Sequence, residues 1–258
     1  MENPRKFIES QVVPITNQVM TRRLLLILTL YMYIYPAFAQ NGKDYDRFIN
    51  DAGEFSNLYR GQAPLEYNFF HTGTFYAYSP EFEKGDVMFN GKLYKDIYMN
   101  LNSHLDELNV LIKTSGRIVV LNGEFVDYFN LGKRRFINIV KGDNSLQKGY
   151  YEVLFNGKTK LYKKIKKVYS ERINESISAK TQSKLERLFI GYESYYLIKD
   201  NIEKIIKNKS DLLAGFRERK RDIRQFIRER NLDMKHDKDH SFALVIGYVE
   251  SVTTKSDE

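Results

Sequence analysis

The sequence predicts an α+β fold: an antiparallel β-sheet or open β-sandwich built from hairpins, with a short N-terminal helix and C-terminal helices. Asn-Gly pairs at 90–91, 122–123 and 156–157 each follow an apolar run of strand-forming residues. The chain also holds 19 tyrosines and 17 phenylalanines, which favour the pleated surface of a sheet. Near the C-terminus the apolar residues recur at helical spacing instead.

The N-terminal part has the layout of a secretory signal peptide. Two arginines at 22–23 precede an uncharged run over 24–39 that ends in Ala-Phe-Ala. This run has 16 residues, fewer than the roughly 20 that a membrane-spanning helix needs. We therefore interpret residues 1–39 as a signal peptide, with Met20 as an alternative start, and expect cleavage between Ala39 and Gln40. N-terminal sequencing of the exported protein tests this expectation.

The expected mature chain has 219 residues and no cysteine. It is long enough to bury a hydrophobic core without disulfides. We expect a periplasmic or secreted protein that is not a lipoprotein and does not span the membrane. Cleavage lowers the net charge from +8 to +6, because the removed part carries four basic and two acidic side chains. That balance is typical of a soluble surface or of binding to anionic lipid or glycan, and it does not indicate nucleic acid.

Residues 40–169 are predicted to form a mainly β domain that begins with a short amphipathic helix over 44–58. Asn and Gly tolerate positive φ, so each Asn-Gly pair predicts a tight type I′ hairpin turn. After the first pair, apolar and polar residues alternate over 93–101, as in a half-buried strand. Further strands are predicted over 69–78, 108–114, 125–129, 135–140 and 160–167.

Residues 170–190 are polar and weakly patterned, and we interpret them as a loop or linker. The C-terminal part, 191–258, is expected to pack on the same domain. Within it, 194–207 fits either a hairpin turning at Asp200-Asn201 or a helix, and periodicity does not decide between them. Three further segments follow, namely helices over 210–216 and 219–230 and an apolar stretch over 241–249.

Several segments resemble a widespread class of exported, uncharacterised proteins of Bacteroidota-type bacteria. The residues that carry the resemblance are Gly85 to Tyr94 (GDVMFNGKLY), Leu105 to Val110 (LDELNV), Lys148 to Phe155 (KGYYEVLF), Tyr195 to Lys199, Lys209 to Leu213 and Ile223 to Leu232. The resemblance covers about residues 50 to 250 and favours the hairpin over 194–207. It implies no activity, so no functional residue is carried over from it.

No catalytic residue is predicted. The absence of cysteine excludes thiol chemistry and thiolate metal sites. The 15 glycines are never two apart, which excludes a Gly-x-Gly dinucleotide loop, and neither Gly-x-Ser-x-Gly nor His-Glu-x-x-His occurs. No cofactor is predicted.

Four histidines remain as candidates for chemistry. His236 and His240 are four residues apart, so on a helix both can face one metal ion, although a solvated loop is the more common meaning of such a polar run. His104 lies beside Asp106 and Glu107, a pattern compatible with a catalytic dyad but not specific for one. His71 has no partner in the sequence. We therefore predict no metal site, with His236 and His240 as the only pair that has ligand spacing.

The densest charge feature is a group of six lysines over 158–167. In a strand, Lys158, Lys160, Lys164 and Lys166 share one face and form a basic stripe that can bind phosphates or carboxylates. The alternative is a solvated or edge strand that lysines protect from aggregation. These four lysines are our candidate ligand-binding residues.

From these observations we predict an exported, non-catalytic binding or accessory module of the cell envelope. Its partner would be an envelope protein or an anionic lipid or glycan. One alternative is a lipid or lipoprotein carrier with an apolar concave β-surface. A second alternative is a hydrolase whose site the sequence does not reveal, built from His104 or His236 with nearby carboxylates.

Overall fold

The computed structural model describes residues 52–53, 56–142, 146–174 and 184–254. Between residues 56 and 254 the chain forms ten β-strands followed by three α-helices. The strands are β1 (Glu83–Phe89), β2 (Lys92–Asn102), β3 (Glu107–Ile112), β4 (Arg117–Val120), β5 (Val126–Leu131), β6 (Arg134–Ile139), β7 (Gly149–Asn156), β8 (Lys160–Asn174), β9 (Lys184–Lys199) and β10 (Ile202–Ile206). The helices are α1 (Lys209–Gly215), α2 (Lys220–Glu229) and α3 (Lys238–Thr254).

All ten strands belong to one antiparallel sheet, in the order β10-β9-β8-β7-β6-β5-β1-β2-β3-β4. The chain forms one meander from β1 to β4, then returns to the other side of β1 and forms a second meander from β5 to β10. The α+β class is therefore confirmed at the level of an open antiparallel sheet with C-terminal helices. Of the two predicted β architectures, the described residues form the single sheet.

The sheet is strongly curled. Four strands separate β2 from β8, so a flat sheet would hold them roughly 24 Å apart at about 4.8 Å per strand. Instead, the turn after β2 contacts β8 directly: the Lys167 N–H donates to the Ser103 carbonyl at 3.0 Å, and the Lys164 ammonium lies 2.6 Å from the Asp106 carboxylate. This contact brings two distant parts of the sheet together.

The three Asn-Gly pairs have three different outcomes. Asn90-Gly91 forms the predicted tight turn between β1 and β2, with φ of 51° and 70°. The pair at 156–157 does begin a hairpin between β7 and β8, but the φ of Asn156 is not positive, and the turn continues to Thr159, whose carbonyl accepts from the Gly157 N–H.

The hairpin prediction at 122–123 is wrong. Asn122 and Gly123 lie in the connection from β4 to β5, two strands that are not neighbours in the sheet. The Asn122 side chain accepts a hydrogen bond from the Glu124 N–H and so caps a 3-10 turn over Gly123–Phe125. Asparagine favours caps as well as hairpin turns, which is why the local pattern misleads here.

The structure differs from the predicted loop over 170–190 and from the predicted strand over 69–78. β8 and β9 extend into the range 170–190 that we interpreted as a linker, and they pair continuously out to Asn174 and Lys184. The predicted strand over 69–78 is instead irregular, with single bridges at Thr72 and Tyr76. The predicted helix over 44–58 lies mostly outside the described residues, and Asn57–Tyr59 forms a 3-10 turn.

The C-terminal part packs on one face of β8, β9 and β10. The hairpin between β9 and β10 is confirmed, with φ of 52° and 60° at Asp200 and Asn201. A core cluster then joins the strands to all three helices, formed by Leu161, Tyr195, Leu197, Ile206, Leu212, Leu213, Phe216, Ile223, Ile227, Phe242, Val245, Ile246 and Val249. Among the described residues, no helix is both long and apolar enough to cross a membrane.

Candidate functional site

The four candidate lysines do not form one continuous basic stripe. Lys160, Lys164 and Lys166 alternate along β8 and share a face, whereas Lys158 lies in the turn before the strand. Lys160 and Lys166 are exposed, but the Lys164 side chain is only 18% exposed and forms an ion pair with Asp106. Burial lowers the pKa of Lys164, while the Asp106 carboxylate opposes this effect. Lys164 therefore holds the turn after β2 against β8.

Lys158 instead belongs to a cleft of about 590 Å³ between the sheet and the C-terminal helices. We call it the basic cleft. Five basic and three acidic side chains of the described residues line it. The basic ones are Lys158, Lys199, Lys204, Arg217 and Arg219, and the acidic ones are Asp200, Glu218 and Glu250. They come from the β7–β8 turn, the β9–β10 hairpin, the segment after α1, and α3.

The basic cleft has an apolar floor as well as charged walls. Phe216 and Val249 line it and are almost fully buried. The Lys199 ammonium lies 5.4 Å from the centroid of the Phe216 ring, close enough for a cation–π interaction. One wall is fixed, because the Glu250 carboxylate accepts a hydrogen bond from the Thr159 N–H. The cleft can therefore hold an anionic group above an apolar surface.

A second polar feature lies beneath the helices and is fully paired. The Lys163 side chain is 1% exposed, and its ammonium contacts the carboxylates of Glu152, at 3.0 Å, and Asp239. Tyr78 donates to Glu152, and Tyr195 donates to Asp239 at 2.7 Å. The network joins the sheet to the first turn of α3. Because each buried charge already has a partner, the network offers no unpaired charge to a ligand.

The histidines are not assembled with carboxylates in a cleft. The His104 Nδ1 lies 3.0 Å from the Lys167 carbonyl, and His71 and His104 both pack against Phe189, with ring centroids 5.0 and 5.2 Å away. The His236 Nδ1 lies 3.0 Å from Asp233, but the histidine side chain is 74% exposed. Within the described part of the chain, no group of three or more His, Asp or Glu side chains could hold a metal ion.

Asp106 and Glu107, the neighbours of His104 in sequence, diverge in space. Asp106 binds Lys164 and accepts a hydrogen bond from the Tyr150 N–H at 3.4 Å. Glu107 is the first residue of β3 and lines a second pocket, separate from the basic cleft. The possible dyad at His104 is therefore not formed.

The site as a whole belongs to an α+β protein with a curled ten-stranded sheet and a basic, apolar-floored cleft beside its helices. Comparison of the chain with protein-family models, with curated proteins and with solved structures gives no match.

Four basic residues of the cleft were missed by sequence reasoning. Lys199 and Lys204 are separated by a hairpin turn, and Arg217 and Arg219 lie in a region where basic and acidic residues alternate. Alternation of charge usually indicates a solvated face, so the arginines carried no local signal. Only the packing of α1 against the β9–β10 hairpin brings them beside Lys158.

Proposed function

We propose that this protein is an exported, non-catalytic binding module of the cell envelope, and that its basic cleft binds the anionic headgroup region of a lipid. The observation that carries the proposal is the convergence of basic side chains from several elements around the apolar floor at Phe216. A phosphate-bearing headgroup needs basic side chains, and the adjoining glycerol and acyl carbons need an apolar surface.

The charge of the cleft supports an anionic ligand. Basic side chains outnumber acidic ones, and one of the acidic ones, Glu250, is already engaged by the backbone of the β7–β8 turn. A group of basic side chains within one cleft keeps its attraction at physiological salt better than dispersed charges, because screening acts over about 8 Å. The cleft volume lies within the usual range of about 300–1,000 Å³ for small-ligand sites.

The two alternative functions gain less support. A lipid carrier would need a ligand-sized apolar cavity on the inner face of the sheet, where Val87, Phe129 and Phe136 are at most 1% exposed and Phe129 stacks on Phe136 at 4.9 Å. A hydrolase would need His104 or His236 to meet carboxylates in a cleft, and neither histidine lines the basic cleft. Both alternatives stay predictions.

Vesicle binding tests the proposal. The purified protein should bind vesicles of phosphatidylglycerol and phosphatidylcholine more tightly than vesicles of phosphatidylcholine alone. Lys158→Gln with Lys204→Gln should weaken that binding about 30-fold, since each basic side chain near an anionic surface contributes about 1 kcal/mol. Co-sedimentation at low and physiological salt measures the change.

The matched control is Lys160→Gln with Lys166→Gln, which removes the same charge from exposed positions of β8 outside the basic cleft. It should leave binding within about threefold of wild type. If this control abolishes binding and the cleft variant does not, the lysines of β8 form the site and the cleft does not. Equal binding to both kinds of vesicle would reject an anionic lipid altogether, and soluble glycerol phosphate then tests the headgroup alone.

A further inference from the structure

A second pocket, of about 680 Å³, lies where the chain leaves β4 and crosses to β5. We call it the amide pocket. One wall is the segment 60–62, which follows the 3-10 turn Asn57–Tyr59 and which we call the strap. The other walls are the turn between β1 and β2, the start of β3 and the β4–β5 connection. The polar residues that line it are Asn57, Arg60, Gln62, Asn90, Glu107 and Asn122. None of them lines the basic cleft.

The walls of the amide pocket are held in place by hydrogen bonds from the backbone and from the Asn138 side chain. The Val120 N–H donates to the Gln62 carbonyl at 2.8 Å, so the strap forms a bridge to the edge of β4. Gly61 permits this approach, because a Cβ there would lie 2.2 Å from the Val120 carbonyl oxygen. On the other side, the Asn138 amide donates to the Gly123 and Val126 carbonyls at 2.6 and 2.8 Å. A pocket fixed in this way is formed before a ligand arrives.

Two buried polar groups near the pocket lack hydrogen-bond partners among the described residues: one belongs to Glu107, which lines the pocket, and the other to Tyr150, which lies behind the lining. The Glu107 Oε2 is buried and has no hydrogen bond among the described residues. Tyr150 is 4% exposed and its hydroxyl is also unpaired there. That hydroxyl abuts the connection, since a Cβ at Gly123 would lie 3.2 Å from it. Buried polar atoms are normally paired, so the unpaired Oε2 of Glu107 has an unused hydrogen-bonding capacity that a ligand reaching it would satisfy.

The environment of Glu107 fits this interpretation. Desolvation by burial raises the pKa of the Glu107 carboxyl. A carboxyl that is partly removed from water without a partner gains from any hydroxyl group that donates to it. Burial first, and then the nearby Asp106 and Glu107 carboxyls, also raises the pKa of Tyr150, so its hydroxyl stays a neutral donor.

The chemistry of the lining points to a neutral ligand with many hydroxyl groups. Each amide side chain offers one acceptor and two donors, which matches hydroxyls that both donate and accept. Among the described residues, Arg60 and Glu107 are the only charged ones that line the pocket, and their charges cancel. Phe125, 47% exposed, lies at the same pocket and offers an apolar surface to the carbon-bound hydrogens of a sugar ring. Because the lining carries no net charge, it would not attract an anion.

We propose that the amide pocket is a binding site for a neutral saccharide. Glu107 accepts hydrogen bonds from ring hydroxyls, the amides of Gln62 and the neighbouring asparagines contribute further hydrogen bonds, and Phe125 contacts the ring face. The site binds without hydrolysing, because glycosidic cleavage ordinarily uses two carboxyl groups and Glu107 is the only acidic residue among the described ones that line the pocket.

Saturation-transfer NMR with cellobiose, maltotriose and N,N′-diacetylchitobiose tests the site on the purified protein. At least one of the three should bind, with a dissociation constant in the millimolar range or below. Glu107→Gln and Arg60→Ala should each weaken that binding at least fivefold. Arg60 is exposed, so its variant keeps the test valid if Glu107→Gln is unstable.

The matched controls are Glu66→Gln and Arg224→Ala, two exposed residues outside the pocket, and both should bind as wild type does. Failure of all three saccharides to bind overturns the proposal, as does binding that both pocket variants leave unchanged. The outcome is independent of vesicle binding, because the two pockets have no lining residue in common in the described part of the chain.

Discussion

Lys163 is the residue on which the junction between sheet and helices depends. Its ammonium lies on β8, and its carboxylate partners lie on β7 and at the start of α3. Burial alone would lower the pKa of Lys163, but the hydrogen bonds to Asp239 and Tyr78 and the charge of Glu152 outweigh it, and the pKa is raised. The network therefore stabilises the charged lysine in a place where water does not reach it.

Replacing Lys163 by Met should destabilise the protein by about 3–5 kcal/mol, because Glu152 and Asp239 lose the cation between them. The Glu152 carboxylate then stays buried without its ammonium partner. Urea unfolding at pH 7 measures the loss. Lys160→Met is the matched control: it lies on the same strand but is exposed, and it should change stability by less than about 0.5 kcal/mol. Equal effects of the two substitutions would contradict the role of the network.

The pH dependence provides a second readout of the same substitution. A raised pKa means that the folded state holds its proton more tightly, so the contribution of Lys163 is fully present below the ordinary value of 10.5. It is lost as the pH rises through the higher folded value. Burial and the Asp239 hydrogen bond raise the pKa of Tyr195 as well, which acts in the same direction. The stability difference between wild type and Lys163→Met should therefore narrow above pH 10.5.

At the scale of elements, identical dipeptides adopt different backbone conformations. Asn90 has a φ of 51° in the β1–β2 turn, whereas the φ of Asn156 in the β7–β8 hairpin is not positive. Both side chains are exposed, so the substitutions differ mainly in backbone conformation. Positive φ costs a residue with a Cβ roughly 1–2 kcal/mol, and Asn tolerates it best.

Asn90→Ala should therefore destabilise the protein by about 1 kcal/mol, while Asn156→Ala should have an effect below about 0.5 kcal/mol. Thermal and urea unfolding of the two variants, made in the same background, provide the comparison. A larger loss at Asn156 than at Asn90 would show that side-chain contacts, and not φ, decide the stability of these turns.

The same contrast explains how much of the fold the sequence could predict. The strand after Asn90, the turn at Asp200-Asn201 and the helices near 210–216 and 219–230 depend on local sequence, and the structure confirms these elements. The predicted alternation of faces along the strand is interrupted near Asp96, and Tyr94 and Asn100 of the predicted wet face are buried. The β4–β5 connection leads to pairing with β1, which is far away in sequence, and the extension of β8 to Asn174 is made by polar residues that pair with the next strand. Local patterns indicated neither.

The candidate sites were less predictable than the fold for the same reason. Lys158 was singled out for its local charge density, and it does line the basic cleft. Lys164 belonged to the same charge cluster, but curling of the sheet brings Asp106 to it and makes it an interior ion pair. The amide pocket had no signal at all, since asparagines in turns ordinarily indicate only turn formation.

At the scale of the whole molecule, β8 contacts the C-terminal helices as well as the first meander. β8 contributes Leu161 to the core under the helices, and the adjacent Tyr162 packs with Leu146 and Tyr151 on the opposite face of the sheet. The turn after β2 is tied to β8 through Asp106 and Lys164. Residues on either side of the range 170–190 are therefore paired strand to strand across β8 and β9.

Because β8 contacts both the helices and the first meander, we expect one cooperative unfolding transition for the sheet and its helices. Far-UV circular dichroism and tyrosine fluorescence, which no tryptophan obscures, should give coincident urea curves. Leu161→Ala removes a fully buried side chain and should shift both curves together by about 2–5 kcal/mol. The exposed Leu244→Ala is the matched control and should shift neither by more than about 0.5 kcal/mol. If Leu161→Ala moves the circular dichroism curve alone, the helices and β8–β10 unfold separately from the first meander, and a boundary within the curled sheet exists after all.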